Sequence, residues 1–176
     1  MVYLNSEEPD GFATGAIGAP GQRVFYLQVR AEGWTVNVRC EKQQVAELAR
    51  HLRVMLDDLP EPDADDGGAA RLLEPVTEDF ILGSIGLGLD RAAARMIVQL
   101  EEMAVIDEDD IEELAGLAGD DLDLDMDTSS VRVLITPGQA RAFCDAAERA
   151  VSAGRGTCRW CGGPIDPSGH ACPRFN

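Results

Sequence analysis

Three features of this 176-residue chain predict an α+β fold. Short β-rich runs come in groups of three, each group is followed by a segment with apolar residues at helical spacing, and several residues recur at matching points of the two groups. Phe12, Gly15, Ile17, Gly18 and Arg23 return as Phe80, Gly83, Ile85, Gly86 and Arg91 at an offset of 68. Val36, Val38 and Gln44 return as Val131, Val133 and Gln139 at an offset of 95, larger because an acidic insertion lies between. The expectation is two tandem βββα units, about 12–59 and 80–153, merged into one mainly antiparallel sheet with both helices on one face.

In the first unit, Phe12 to Gly18 and Gln22 to Arg30 flank Ala19-Pro20-Gly21, a turn signal, and read as two strands. Trp34 to Cys40 alternates after the turn at Glu32-Gly33 and reads as a third. Glu41 to Leu59 carries Val45, Leu48, Leu52 and Leu56 at helical spacing. The second unit offers Asp79 to Leu89, Ala94 to Val105 and Val131 to Ile135 as strands, then a helix from Pro137 to about Ala153. Thr136 before Pro137 supplies an N-cap and a first-turn proline. Ala92-Ala93-Ala94-Arg95 favours helix by propensity, so only the repeat makes that stretch a strand. Gly83-Ser84-Ile85-Gly86-Leu87-Gly88 is glycine-rich, but no helix opens after it, and it reads as turns or close strand packing rather than a phosphate loop.

The formal net charge of −17 is concentrated in two places. Glu101 to Asp127 holds thirteen acids and Asp57 to Asp66 holds six, with no Lys or Arg in either, so the remainder of the chain stands at +2. The insertion at about 101–127 reads as a solvated acidic strip with a marginal helix at Ile106 to Leu117. Leu122, Leu124 and Met126 are in phase to extend the following strand. Its alternating Asp121, Asp123, Asp125 and Asp127 lack the glycine and the twelfth-position glutamate of a calcium loop, where Met126 and Arg132 stand instead. No apolar stretch is long enough to span a membrane.

The main domain is expected over 1–154 and a separate tail over 155–176. That tail places Cys158, Cys161, His170 and Cys172 among glycines and prolines. Thiolate sulfur and imidazole nitrogen suit Zn²⁺ in a closed tetrahedral shell, and Gly162-Gly163 lets the chain turn so that the C-x2-C thiols face one ion. The His170-x-Cys172 pair is one residue shorter than the usual second pair. A disulfide is the competing reading, but five cysteines are an odd number and Met1 to Glu8 has no signal-peptide pattern. A reducing cytoplasm is the expected compartment, and clustered Cys and His there favour metal. Four protein ligands leave no open position, so the zinc is expected to be structural, and binding it would supply most of the tail's folding free energy, about 10–16 kcal/mol in zinc-finger peptides.

Four stretches together carry a resemblance: Gly18-Ala19-Pro20-Gly21-Gln22-Arg23 with Phe25 and Leu27-Gln28, then Glu41-Lys42-Gln43-Gln44-Val45, then Thr136-Pro137-Gly138-Gln139-Ala140-Arg141-Ala142-Phe143, and the Cys158 to Arg174 ending. The chain resembles an actinobacterial domain-of-unknown-function family with a CxxC…HxCPR tail. The resemblance implies no chemistry. Genes of that family commonly neighbour a histidine-phosphatase-like protein and a phosphatidylinositol-kinase-like protein, which implies one of these as a partner.

Catalysis finds little support. A general base or nucleophile needs a tuning partner, His170 belongs to the tail cluster, and His51 has none in view. Cys40 and Cys144 read as small buried hydrophobes. Arg23 and Arg91 occupy equivalent repeat positions and form a candidate anion site, with Gln22, Gln28, Glu41 and Gln44 as polar neighbours, set against local pairing within each unit. The acidic runs and the lack of a basic face argue against nucleic acid, although Arg155, Arg159, Arg174 and Trp160 would permit a local RNA contact through the tail. The sequence therefore favours a non-enzymatic zinc-containing adaptor with a protein partner, ahead of an anion-binding protein or cryptic enzyme using Arg23 and Arg91.

Overall fold

The structure, a computed structural model, describes residues 1–60, 70–104, 128–154, 156, 158–163, 165 and 169–174. Among the described residues, seven strands and two helices follow in the order β1 (Tyr3–Ser6), β2 (Gly11–Ile17), β3 (Val24–Ala31), β4 (Trp34–Cys40), α1 (Lys42–Leu56), β5 (Phe80–Asp90), β6 (Arg95–Glu102), β7 (Ser130–Ile135) and α2 (Pro137–Ser152). One mixed sheet runs β1-β7-β6-β5-β4-β3-β2. The hairpin partners β2–β3, β3–β4, β5–β6 and β6–β7 are antiparallel, whereas β4–β5 and β1–β7 are parallel. The β4–β5 junction is parallel because α1 carries the chain back between them, and it is short, pairing only Val38 with Phe80 and Arg39 with Ile81.

Strands β1 and β2 lie at opposite edges of the sheet, yet only residues 7–10 join them. A flat seven-stranded sheet would separate its edges by roughly 29 Å, at about 4.8 Å per spacing. Five Cα steps reach no more than about 18 Å. The sheet is therefore strongly curled, and both helices occupy its inner face. Residues 12, 14 and 16 of β2 face 29, 27 and 25 of β3, and the same phase continues through Val36, Val38, Leu82, Met96, Val98, Leu100, Val131, Val133 and Ile135. Against them α1 buries Val45, Leu48, Ala49 and Leu52, and α2 buries Ala140, Phe143, Cys144 and Ala147. Phe12 and Phe143 stack with centroids 4.5 Å apart and planes 15° from parallel, which fixes α2 on β2.

Both helices begin with the same device. Gln44 of α1 accepts from the Glu41 N–H at 2.8 Å, and Gln139 of α2 accepts from the Thr136 N–H at 3.0 Å, each completing a capping box. Gln139 also donates to the Pro9 carbonyl at 2.7 Å, which ties α2 to the β1–β2 connection. Among the described residues, the segment around Leu73 covers part of the outer face. Ala13, Gln28 and Asn37 are in register across β2, β3 and β4, and the buried Gln28 amide donates to Asn37 Oδ1 at 2.8 Å and to the Leu73 carbonyl at 3.0 Å while accepting from the Leu73 N–H at 2.9 Å. The backbone of the segment before β5 is thereby strapped over the sheet.

The glycine-rich run lies inside β5. A Cβ on Gly83 would stand 2.7 Å from Met103 Cα, at the register shift between Leu82 and Ser84, so close strand approach is the reason for that glycine. In the β5–β6 turn, Asp90 Oδ1 accepts from the N–H groups of Ala92 and Ala93, and Ala94 adopts φ 51°. This Asx-type turn overrides the helix propensity of the alanines. Strand β1 carries no periodic signal in the sequence, because four residues are too few for periodicity to register. Glu101 and Glu102, read as the start of the acidic insertion, belong to β6 and extend its pairing. The helix at Ile106 to Leu117, the extension at Leu122 to Met126 and the Asp121 to Asp127 run lie outside the described residues.

Candidate metal centre

Cys158, Cys161, His170 and Cys172 come together, one ligand atom from each lying within 4.8 Å of all the others. The first pair is held by a tight turn: the Gly162 N–H donates to the Cys158 carbonyl at 2.8 Å and the Cys158 N–H to the Gly163 carbonyl at 2.7 Å. Gly162 takes φ 73°, a left-handed conformation that favours glycine. The Gly163 N–H points at Cys161 Sγ from 3.4 Å, as amides do around metal thiolates. The second pair closes the set, with His170 Nε2 3.1 Å from Cys161 Sγ and Cys172 Sγ 3.8 Å from Cys158 Sγ. All five cysteines are free thiols.

The donor set fits a metal ion. In a tetrahedral site with metal–sulfur bonds of about 2.3 Å, neighbouring sulfurs are about 3.8 Å apart, which is the Cys158–Cys172 separation. The Cys161–His170 edge is shorter than the roughly 3.5 Å such a shell would give, so the ligands are gathered slightly closer than a bound ion would hold them. The backbone N–H groups of Cys161 and then Trp160 stabilise the Cys158 thiolate and pull its pKa down to about 6. Desolvation, the main effect at Cys172, raises that thiol instead. Cys158 is thus the first of the pair to ionise. Four protein donors complete a closed shell, which suits a structural ion rather than one that activates water.

The other residues singled out in the sequence are dispersed. Arg23 ends the β2–β3 turn and lines a cavity of about 330 Å³ with Gly21, Arg39, Glu41 and Lys42 among its walls. Arg91 opens the β5–β6 turn and pairs with Asp58 at 3.3 Å, both side chains well exposed. Of the polar neighbours expected around them, Gln28 is committed to Leu73 and Gln44 to the α1 cap. Arg39 and Lys42 escaped the sequence reading, since a basic residue at a strand end and another at a helix start carry no motif. His51 is exposed, with Nδ1 2.9 Å from the Glu47 carbonyl of its own helix. Cys40 and Cys144 are buried, and desolvation pushes their thiols up to about 12 and about 11. Among the described residues no helix is long and apolar enough to cross a membrane.

The fold and the cluster define a small α+β protein whose described residues form a curled, mixed sheet around two helices and whose C-terminal tail presents a closed Cys₃His set able to hold a metal ion. The chain belongs to the family described as Protein of unknown function (DUF3090), whose family model matches residues 5–172, from within β1 to the last cysteine of the cluster. No curated protein and no solved structure matches it.

Proposed function

We propose that this protein is a non-enzymatic, zinc-organised adaptor of the cytoplasm, in which the tail is a zinc knuckle that presents Arg159 and Trp160 to a protein partner. The observation that carries the reading is the gathering of three thiols and one imidazole into a closed four-ligand set. Thiolate-rich tetrahedral sets select Zn²⁺ among the abundant divalent ions, whereas Mg²⁺ and Ca²⁺ want oxygen. The Arg159 guanidinium lies 4.8 Å from the centroid of the half-exposed Trp160 ring, a pre-ordered aromatic–cation pair of the kind enriched at interface anchors. The partner is proposed to be a histidine-phosphatase-like or lipid-kinase-like protein, on the family resemblance alone.

The curled sheet is proposed to descend from a duplicated βββα unit. Gln44 and Gln139, related by the sequence offset, hold the same position in the two capping boxes. Val36 and Val38 on β4 and Val131 and Val133 on β7 hold the same inner phase. β1 stands parallel beside β7 as β5 stands parallel beside β4.

Metal analysis of the purified full chain tests the site: one Zn per chain is expected, falling to none in Cys158→Ser and Cys172→Ser, with unchanged far-ultraviolet circular dichroism. A full equivalent retained by Cys158→Ser overturns the ligand set. The adaptor role is tested by titrating the purified neighbour proteins with zinc-loaded chain, using Cys172→Ser as the metal-free control. Binding that needs the metal supports the reading, and equal binding by both forms removes the knuckle from the interface.

A further inference from the structure

The cavity beside Arg23 joins four parts of the chain. Its walls are the β2–β3 turn and the start of β3 (Gly21, Arg23, Val24, Phe25), the end of β4 (Arg39, Cys40), the start of α1 (Glu41, Lys42) and the end of α2 with the residue beyond its cap (Ala150, Val151, Gly154). Three cations therefore line one hollow of about 330 Å³, in a chain whose acids outnumber Lys and Arg by 32 to 15. Among the described residues the Arg23 and Lys42 side chains have neither a hydrogen bond nor an ion pair. Arg39 has only a loose contact with Glu78, at 3.6 Å with both side chains partly exposed, a pairing worth little in solvent.

The backbone adds to this charge. The capping box at the start of α1 occupies the N–H of Gln44, which leaves the N–H groups of Lys42 and Gln43 in the first turn for an outside acceptor at the positive end of a 15-residue helix. Among the described residues Glu41 is the one acid of the lining, and its backbone N–H is tied to Gln44 in that cap. Cys40 is a neutral thiol held by burial near a pKa of about 12, so it contributes no negative charge. The opposite wall has the reverse polarity, because the C-terminal, negative end of α2 lies there. Lys42 Nζ reaches that wall, 3.9 Å from where a Cβ on Gly154 would stand.

We infer that this cavity binds a small hydroxyl-bearing phosphate ester, its phosphate held by Arg23, Arg39 and Lys42 at the start of α1 and its hydroxyls by the carbonyl end of α2. Guanidinium groups match phosphate oxygens as bidentate donors, and a helix N-terminus offers further N–H groups to the same anion. The volume sits at the small end for ligand sites, which suits a phosphorylated polyol or pentose better than a dinucleotide. The site shares no residue with the Cys₃His cluster, so it stands apart from the zinc reading.

Isothermal titration of the full chain in chloride buffer tests the assignment, with ribose 5-phosphate, inorganic phosphate and ribose as probes. Saturable one-to-one binding of ribose 5-phosphate is expected, tighter than inorganic phosphate, with none for ribose. Arg23→Gln and Lys42→Gln, both at solvent-accessible positions, should each weaken it about tenfold or more, in line with loss of one charge-assisted contact. Gly154→Leu should abolish it without changing a charge. Absence of saturable binding by either phosphate probe overturns the inference, as does binding that survives both Arg23→Gln and Gly154→Leu. Equal affinity for ribose 5-phosphate and inorganic phosphate overturns the assignment of the α2 wall to hydroxyls.

Discussion

Glu102 and Ser129 face each other across the neck of the acidic run, joined twice: the Glu102 N–H donates to the Ser129 carbonyl at 2.9 Å, and the Ser129 N–H donates to Glu102 Oε2 at 2.8 Å. Ser129 Oγ accepts in turn from the Val2 N–H at 2.9 Å, and the Ser130 N–H donates to the Val2 carbonyl at 2.8 Å, so the same point fastens β1 to the sheet edge. The β6–β7 ladder is thereby closed at the points where the chain leaves and re-enters it.

That carboxylate gives the fold a pH dependence. The Ser129 backbone N–H, and next its hydroxyl, hold the Glu102 pKa below the usual carboxylate range. A depressed folded-state pKa means stability that is present above about pH 4.3, the unfolded value, and lost as pH falls through the folded value. Glu102→Gln should cost about 1 kcal/mol at pH 7, as one charge-assisted bond on a partly exposed group, and nothing once wild type is protonated. Urea unfolding of both proteins across pH 2–7 is the check, and a constant difference across that range would rule the carboxylate out as the cause.

Phe143 should be among the costliest truncations in the core. It is fully buried and stacked on Phe12, and it links α2 to the edge strand β2. Phe143→Ala is expected to cost about 3–5 kcal/mol by lost transfer and the cavity left behind. Equilibrium denaturation measures this. Zinc content of whatever folded fraction remains should be unchanged, since the cluster lies in the tail.

Gln28 should behave as a polar core residue rather than a surface one. Replacing it with Leu leaves both the N–H and the carbonyl of Leu73, and the Asn37 amide oxygen, without their partner. The expected loss is roughly 2–3 kcal/mol, despite the gain in apolar volume. Hydrogen exchange at the Leu73 amide should rise more than exchange in α2, which shows that the strap has lifted locally.

Removing the metal should act on the tail alone. With so little apolar surface of its own, the segment from Cys158 to Cys172 depends on its shared ion for order under the zinc reading. Chelation is expected to expose residues 155–176 to limited proteolysis while the fragment carrying the sheet and helices persists. Equal protection with and without chelator would show that protein contacts, and not the ion, hold the tail.

Much of the fold was legible because its elements carry strong periodicity. Trp34–Cys40 alternates and forms β4, and Val45, Leu48 and Leu52 lie on the buried stripe of α1, as their spacing requires. Thr136 and Pro137 mark the start of α2 because an N-cap oxygen and a residue without an N–H both suit the first turn. The Cys/His cluster was legible for a chemical reason, since Cys and His gathered in so short a tail suit one ion better than they suit a core. β1 was illegible, as four residues give no period, and so was the parallel β4–β5 junction, which depends on the path of α1.

Local spacing and donor chemistry were enough to mark the segments that form β2 to β7, α1 and α2, and to gather the four candidate ligands. Tertiary structure alone decided that seven strands curl until their edges are bridged by residues 7–10, that Gln28 is buried under Leu73, and that Arg23 shares a cavity with Arg39 and Lys42 rather than with Arg91. The physical reason is that these are relations between segments far apart in the chain, set by how the sheet twists and closes over two helices, and no local pattern of side chains encodes them.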